Sequence, residues 1–567
     1  MLKDFARLAA GVAAVPASAA ATAAHRWATG PRAILELQIR TWDEVGVRYQ
    51  VLKRLRRLAY DPTVAGVFLR IDAAPGSWAA CQDLRAVLER IRAAGKAVYA
   101  FLETPGNAAI WVAAGVDRVF LVPTAEVGLV GVGVELTFLG EALKRLGIEP
   151  DFEAAGAYKS FGEPYTRTHA SPENQEAVRV LVEDMQEQLV EGIASGRGLS
   201  AEEVHDLLAR APIPAADAVE AGLVDQAAYE DEAREWIEEH HGSKTHFVKF
   251  GAWARRDLVL EWVEHWGDDD KQIAILHLQG PIVVDDKTPA HTIRARQVVP
   301  LLRHLRDNED IEAVVLHINS PGGSALASDI IWREVDLLRR EKPVVASFED
   351  VAASGGYYLA APAVEIIARP GTLTGSIGVF GGKLVMGRAM RQLGVHTQGI
   401  SSSPNANLFS ASRPFTDDQR TRFRSSLQRF YDGFIDRVAS GRRQPADVIE
   451  PHCRGRVWTG RLALRHGLVD RSGDLFEAVE RARVLAGLHV GGYREVNVAP
   501  SPRQNLMARV LSFLLREIRP RLGDGAVERV AALMRVTLGS TLTPMLDVVL
   551  AHPGEALAML PFDLRPR

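Results

Sequence analysis

The chain has 567 residues, of which 47% are hydrophobic and 24% are charged, an ordinary globular composition. This length exceeds the ~250–300 residues that one hydrophobic core supports, so two or more domains are expected. The net charge of -4 gives no electrostatic basis for a nucleic-acid partner, and the 2 cysteines exclude a disulfide framework.

The N-terminal segment 1–30 is rich in alanine. Residues 8–24 carry no charge, and Lys3 and Arg7 precede them. A short uncharged run after basic residues is typical of a membrane anchor or an export signal, and a poorly ordered or interfacial helix is the alternative. We predict an anchor or signal segment here, followed by soluble domains.

A long internal repeat relates the two halves of the chain. Four pairs of segments match in the same order and at nearly constant separation: 33–38 with 274–279, 67–72 with 314–319, 96–100 with 342–346, and 221–225 with 466–470. Strands alternate with helices in each copy, and the strands are apolar without strict alternation. This pattern predicts duplicated α/β domains, each built around a largely parallel sheet that is covered on both faces.

The repeat divides the chain into five predicted segments. They are an N-terminal apolar anchor or signal segment (1–30), a first repeat (31–241), a linker (242–270), a second repeat (271–499) and a helical C-terminal tail (500–567). Helical periodicity in the tail covers residues 507–518 and 527–538. Docking onto its own domain, a membrane surface or a partner groove all fit this tail.

The stretch around Ser354 is a candidate nucleophile turn. A strand that begins at Val344 leads through an acidic turn to Ser354, which lies between small residues. We expect an apolar helix to about Ala361, a strand at 365–368 and then a loop rich in Gly, Thr and Ser. A serine at a helix start can act as a nucleophile beside free backbone N–H groups, or it can simply cap the helix.

The two repeats differ at this candidate site. The first copy has Asn107 opposite Ser354, whereas it carries Lys159 in a segment whose counterpart in the second copy has no lysine. A serine hydroxyl needs a base, and a lysine can be that base when burial lowers its pKa. A surface lysine is the alternative. Small and aromatic neighbours, and the lack of an obvious histidine partner, favour the base.

Five motifs resemble those of the signal peptide peptidase A family, also called protease IV, in its long, duplicated form. The resemblance covers roughly residues 30–490, and the motifs occur in the family's order. The motifs are YKS at 158–160, NSPGGS at 319–324, AASGGY at 352–357, LTGSIG at 373–378 and VWTG at 457–460.

The resemblance implies tandem Clp/crotonase-like domains and a Ser–Lys dyad protease. Ser354 would be the nucleophile, Lys159 the general base, and Ser376 the residue that orients the lysine. The implied oxyanion hole uses backbone N–H groups of three glycines, for which a plain tight turn is the alternative: Gly322, Gly323 and Gly355. Because the lysine and the serine belong to different copies, neither copy would be active alone.

The resemblance also implies no cofactor, no metal and a homotetramer. It implies association with the cytoplasmic (inner) membrane, with the catalytic domain outside the cytoplasm. The substrates would be remnants of cleaved signal peptides and other apolar peptides. Two other hypotheses are a crotonase-like enzyme that processes acyl-CoA and an inactive membrane-associated scaffold.

Overall fold

The computed structural model describes residues 33–39, 47–72, 76–242, 245–254, 257, 271–284, 292–498 and 557–559. The predicted N-terminal segment 1–30 and the two predicted tail helices lie outside these residues. Among the helices that the structure describes, none combines the length and apolar character needed to cross a membrane.

The strands follow in chain order. They are β1 Ala33–Ile39, β2 Val64–Ile71, β3 Ala97–Leu102, β4 Arg118–Leu121, β5 Glu126–Val127, β6 Glu149–Ala155, β7 Ile213–Pro214, β8 Gln226–Ala227, β9 His246–Lys249, β10 Lys271–Gln279, β11 Ile282–Val283, β12 Ile293–Arg294, β13 Ile311–Ser320, β14 Gly322–Ser324, β15 Val344–Ala353, β16 Glu365–Ala368, β17 Leu373–Gly375, β18 Val379–Val385, β19 Val457–Thr459, β20 Arg471–Ser472, β21 Tyr493–Val498 and β22 Leu557–Met559.

The helices are α1 Val47–Leu58, α2 Trp78–Ala93, α3 Asn107–Ala113, α4 Gly140–Arg145, α5 Glu163–Thr166, α6 Pro172–Arg197, α7 Ala201–Arg210, α8 Ala215–Glu220, α9 Glu230–His241, α10 Ala295–Asp307, α11 Ala325–Leu338, α12 Gly355–Ala360, α13 Gly387–Gln392, α14 Asp417–Arg442, α15 Ala446–Ile449, α16 Gly460–Arg465 and α17 Leu475–Leu485. Short 3-10 turns cover Ser160–Gly162 and Glu450–His452.

By packing, the chain forms two compact units that do not coincide with the two repeats. Unit A comprises residues up to Val132 and Met185–Asp269, and unit B comprises Gly133–Asp184 and the chain from Asp270 to Leu564. The segment 133–184, which the repeat assigns to the first copy, therefore packs in unit B. This segment carries Lys159.

Unit A is built on a parallel sheet with the strand order β8-β4-β3-β2-β1-β9. Its outer strand β9 lies in the predicted linker 242–270, which is therefore more than a connection. The central strands are mostly apolar, and Phe68 and Phe120 are fully buried between the sheet and its covering elements. Strands of this kind are expected in a sheet that is covered on both faces.

The main sheet of unit B has the order β19-β17-β15-β13-β10-β21, and β16 pairs with β15 while β20 pairs with β16. Strands β10, β13 and β15 pair in parallel, while β17 and β19 pair in antiparallel fashion. The matching helices α2 and α11 begin in the same way in the two repeats, since Ser77 and Ser324 each accept a hydrogen bond from the backbone of the helix's third residue.

A second sheet of unit B explains how the segment 133–184 is held there. Its order is β12-β11-β14-β22-β18-β6, and β6 pairs with β18 over seven residues without a break. The predicted loop after Ala368 thus contains two strands, β17 and β18. Its glycines suggested turns, but a Cβ on Gly382 would lie only 2.2 Å from the carbonyl oxygen of Asp151, so this glycine permits close strand approach.

Buried charges fasten β6 to helix α14. The Asp151 carboxylate accepts hydrogen bonds from the Phe415 backbone N–H at 2.6 Å and the Arg420 guanidinium at 2.7 Å. Glu153 accepts from Arg424 at 2.5 Å. Because both carboxylates are largely buried, removing either one leaves donors without their acceptor.

We expect Asp151→Ala to lower the free energy of unfolding of unit B by about 2–3 kcal/mol, because it leaves the buried Phe415 N–H without its acceptor and removes one of the two carboxylates that pair with Arg420. Thermal and urea unfolding would measure this change. Glu149→Ala is the matched control, since Glu149 lies on the same strand but is exposed, and it should change stability by less than ~0.5 kcal/mol. Equal effects of the two variants would contradict this role for Asp151.

Candidate active site

Ser354 occupies a strained turn between β15 and α12. Its backbone has φ 56° and ψ -113°, a conformation that residues with a Cβ seldom adopt. Two hydrogen bonds hold the turn: Ser354 N–H donates to the Gly375 carbonyl at 2.7 Å, and Tyr358 N–H donates to the Ser354 carbonyl at 2.8 Å. The predicted acidic turn at 349–350 is part of β15, which runs on to Ala353.

The two glycines after Ser354 are required by close packing. A Cβ on Gly355 would lie 2.6 Å from Ser328 Oγ, and one on Gly356 would lie 2.8 Å from the Ser320 carbonyl oxygen. Neither position has room for a side chain. The small-residue pattern around Ser354 therefore reflects how tightly the helix start packs against β13 and α11.

Lys159 lies beside Ser354. Its Nζ is 2.8 Å from Ser354 Oγ, 2.9 Å from Ser376 Oγ and 3.0 Å from the Ser376 carbonyl oxygen. The lysine follows β6 and is only 5% exposed. All three residues belong to unit B.

The neighbouring loop at 454–456 fixes the backbone of Lys159 and Ser376. Tyr158 N–H donates to the Arg454 carbonyl at 2.8 Å, and Ser376 N–H donates to the Arg456 carbonyl at 2.6 Å. A Cβ on Gly455 would lie 2.6 Å from Lys159 N. Sequence reasoning missed Gly455, whose only signal was its place just before the VWTG motif.

Burial controls the protonation of Lys159. Desolvation of the ammonium lowers the pKa of Lys159 well below its ordinary value of 10.5. The neutral amine keeps a lone pair that can accept the Ser354 hydroxyl proton, while its own N–H groups can donate to the two oxygens of Ser376. This arrangement suits proton abstraction from a serine.

The three predicted glycines also come together. A Cβ on Gly355 would lie 3.2 Å from both Gly322 Cα and Gly323 N, so the Gly322–Gly323 backbone lies against the start of α12. Gly322 N–H donates to Ser320 Oγ at 3.2 Å. Gly355 is the first residue of its helix, and first-turn N–H groups have no acceptor within the helix.

Unit A has the corresponding turn, but an asparagine occupies the position of the serine. Gly106 and Gly128 form a parallel bridge, just as Ala353 and Gly375 pair in unit B. At the position of Ser354, Asn107 donates from Nδ2 to the Gly131 carbonyl at 2.8 Å and accepts from Gly131 N–H at 3.1 Å. An amide thus holds together the turn that carries a serine in unit B.

Comparison with known proteins identifies the family. The sequence profile of Peptidase family S49 matches residues 90–244 and again residues 336–489. The chain belongs to this family. Its double match, together with the observed sheets, confirms the predicted α/β fold class with tandem repeats. Because members of the family are peptidases, the acyl-CoA and inactive-scaffold hypotheses have no support from the comparison.

Similar proteins span most of the chain. Serine protease SPPA, chloroplastic, of Arabidopsis thaliana is 31% identical over 88% of this chain and 76% of that protein. Protease 4 of Salmonella typhi is 28% identical over 79% and 74%, and Protease 4 of Haemophilus influenzae is 27% identical over 77% and 72%. The chain is a serine protease, as predicted.

The lowered pKa of Lys159 makes stability depend on pH. Above that lowered pKa and below 10.5, the unfolded chain binds a proton that the folded chain lacks, so folding becomes more favourable as pH rises. Between pH 7 and 9 we expect the stability of wild type relative to Lys159→Met to rise, by at most about 1.4 kcal/mol per pH unit. Urea unfolding at each pH measures it.

Lys144→Met is the matched control, because Lys144 is an exposed lysine of the same unit. Its stability relative to wild type should stay constant over this pH range. A wild-type curve parallel to that of Lys159→Met would show that Lys159 is protonated in the folded protein.

Proposed function

We propose that this protein is a serine endopeptidase with a Ser–Lys dyad, which degrades cleaved signal peptides and other apolar peptides at the membrane. One observation carries the proposal: Lys159 Nζ lies 2.8 Å from Ser354 Oγ, within the reach that proton transfer requires. A second observation supports it: burial lowers the pKa of Lys159 well below its ordinary value, which favours the neutral amine that a general base requires.

In the first half of the reaction, Lys159 takes the proton of Ser354 as Oγ attacks the scissile carbonyl carbon. Ser376 accepts hydrogen bonds from the resulting ammonium and keeps it directed at the site. The ammonium then donates its proton to the leaving nitrogen, and the C–N bond breaks. The amine product departs, and the acyl group remains on Ser354 as an ester.

In the second half, water replaces the amine. Lys159 takes a proton from the water as its oxygen attacks the ester carbonyl, and it returns the proton to Ser354 Oγ when the C–O bond of the ester breaks. The products are a carboxylic acid and free enzyme. Lys159 accepts and returns every proton that moves in these steps, so the reaction needs no histidine.

The turn at Gly322–Gly323 and the start of α12 would stabilise the oxyanion. We assign the donors to Gly323 N–H and Gly355 N–H, which lie close to one another. Gly322 contributes to the shape of the turn, because its own N–H is directed to Ser320. Two backbone donors beside the nucleophile are the usual means of stabilising a tetrahedral intermediate.

A fluorophosphonate probe tests the dyad. Wild type should be labelled at Ser354, and labelling should vanish in Ser354→Ala. In Lys159→Met it should fall by about 100-fold to 10,000-fold because the base is gone. Ser376→Ala removes one hydrogen bond to the lysine and should lose roughly tenfold. The wild-type rate should increase with pH as Lys159 loses its proton. Mass spectrometry of the labelled peptide measures each rate.

The exposed residue Ser403 provides the control, since Ser403→Ala should label like wild type. Full labelling of Lys159→Met would refute the dyad. Cleavage of a synthetic signal peptide, but not of a polar peptide of equal length, would support the substrate class, and equal cleavage of both would contradict it.

The proposal extends to a homotetramer at the cytoplasmic membrane, with the catalytic domain outside the cytoplasm. Unit B presents apolar side chains to solvent along one stretch of chain, which we name the apolar stretch: Met386, Leu393, Val395 and Ile400. Leu393 is 82% exposed and Ile400 is 92% exposed. Exposed apolar surface of this kind is typical of contacts between subunits.

We expect Leu393→Glu combined with Ile400→Glu to lower the molar mass in solution from that of a tetramer to that of smaller species, because charges would be buried at the contact. Light scattering after size-exclusion chromatography measures the mass. Val490→Glu is the control, because Val490 is 84% exposed but lies outside the apolar stretch. An unchanged mass in the double variant would rule out this surface as the contact.

A further inference from the structure

Arg456 directly precedes strand β19, and its side chain lies over two aromatic rings. The guanidinium Cζ is 4.8 Å from the centre of the Tyr158 ring and 4.5 Å from that of the Trp458 ring. Both distances are within the range of cation–π contacts, which are strongest where little water reaches the cation. The Arg456 side chain is only 14% exposed. The guanidinium therefore joins the two rings.

A carboxylate on helix α6 completes this group of side chains. Glu176 pairs with Arg456 Nη1 at 2.9 Å and accepts a hydrogen bond from Tyr158 Oη at 3.0 Å. The hydrogen bond from Tyr158 and the charge of Arg456 lower the pKa of Glu176, so the carboxylate is ionised at neutral pH. We name these four residues the Arg456 cluster: Tyr158, Glu176, Arg456 and Trp458.

The Arg456 cluster connects the two residues that surround the proposed base. Tyr158 directly precedes Lys159 in the sequence. The Arg456 carbonyl accepts from Ser376 N–H at 2.6 Å, and Ser376 has an unfavourable positive φ of 51°. Trp458 lies on β19, which pairs with β17, the strand that ends one residue before Ser376. One arginine thus contacts both sides of the amine's surroundings.

The segments that carry Lys159 and Arg456 meet at glycines. A Cβ on Gly156 would lie 2.7 Å from the Arg454 carbonyl oxygen, and one on Gly455 would lie 2.6 Å from Lys159 N. Glycines have no side chains that could interlock there. The Arg456 cluster provides side-chain contact between these two segments.

Firm placement of this backbone matters for the amine. A lysine side chain is long and flexible, so the position of Nζ depends on where the backbone of Lys159 lies relative to Ser376. A displacement of about 1 Å in a reacting group can cost roughly 100-fold in rate. The contacts that hold the backbone are therefore as important as those of Nζ itself.

We propose that Arg456 is a positioning residue for the peptidase reaction. Its guanidinium holds Tyr158 against the strand that carries Trp458. This contact fixes the backbone of Lys159 relative to Ser376 and so directs the amine at Ser354. Arg456 acts through the lysine and takes up no proton itself. The inference rests on the proposed dyad of the same site.

Arg456→Met tests the proposal, because it keeps an unbranched side chain but removes the charge and the planar group. Labelling of Ser354 by the fluorophosphonate probe at pH 8 should slow about tenfold to 100-fold. The midpoint of the labelling rate against pH should rise by at least about 0.5 unit, since a less firmly held lysine is better solvated. For a synthetic signal peptide, kcat should fall in proportion while KM stays within about twofold. An unchanged midpoint would overturn the proposal.

Arg118→Met is the matched control. In unit A, Arg118 Cζ lies 4.2 Å from the centre of the Trp236 ring and 5.5 Å from that of the Phe120 ring. The variant therefore loses the same kind of contact away from the dyad, and its labelling rate and midpoint should match wild type. A midpoint shift equal to that of Arg456→Met would contradict the proposal.

Tyr158→Ala removes the ring under the guanidinium and gives a second route to the same result. It should slow labelling and raise the midpoint as Arg456→Met does. Tyr158→Phe keeps the ring and should label within about threefold of wild type. The double variant Tyr158→Ala with Arg456→Met should be no slower than the slower single variant, because both break one connection. Effects that multiply would refute that connection.

Urea unfolding gives a readout that does not depend on catalysis. The stability of wild type relative to Lys159→Met should rise with pH above the lowered pKa of the lysine. In an Arg456→Met background the same rise should begin at a higher pH, because the pKa of Lys159 in the folded protein is higher. The same onset in both backgrounds would rule out the positioning role. A shifted onset without any labelling of wild type would mean that the proposed peptidase function fails while the connection between Arg456 and Lys159 stands.

Discussion

Burial of the Lys159 amine is the constraint on which the rest of the site depends. An ammonium removed from water is strongly disfavoured, so the surroundings must offer polar groups that suit a neutral amine. Ser354 Oγ and the two oxygens of Ser376 provide them. Both serines have positive φ angles, which is unfavourable for residues with a Cβ. Backbone hydrogen bonds from each serine's N–H hold these conformations, so the strain is tolerated where it presents the hydroxyl groups.

The placement of Lys159 beside Ser354 depends on strand pairing between segments that are far apart in the sequence. Strand β6 comes from the first repeat, yet it pairs with β18 of the second repeat over its full length. The pairing requires glycine at Gly382, where the carbonyl of Asp151 approaches too closely for a side chain. Charges on the same strand then fasten it to α14. The pairing of β6 with β18 and the ion pairs between β6 and α14 therefore set the position of Lys159. Together they limit how far its amine can move from Ser354.

Much of the fold was predictable because local patterns were strong. The apolar runs at 33–38, 274–279, 314–319 and 365–368 are strands, and so is the run at 67–72 up to Ile71. The prediction of a loop after Ala368 was wrong, because this segment contains β17 and β18. Its glycines permit close packing between strands and do not only form turns. The transfer of segment 133–184 to unit B could not be predicted, since it depends on the β6–β18 ladder, whose partners are far apart in sequence. Comparison of the repeats nevertheless singled out Lys159 and Ser354, because each lacks a counterpart in the other copy.

The duplicated protein has a stabilised turn in unit A and a strained serine at the same turn in unit B. A single domain would have to combine these two properties. Unit A retains the turn geometry, but Asn107 closes it by bonding to both backbone groups of Gly131. The Asn107 amide thus satisfies the backbone N–H and C=O of Gly131, whereas a reactive site must keep such groups available to substrate. The turn in unit A is therefore stabilised by this pairing. In unit B the same turn carries a strained serine and admits a lysine from the other repeat. The prediction that neither repeat is active alone is thereby sharpened. An isolated second repeat, residues 271–499, lacks Lys159, whereas unit B, defined by packing, contains Ser354, Lys159 and Ser376 together.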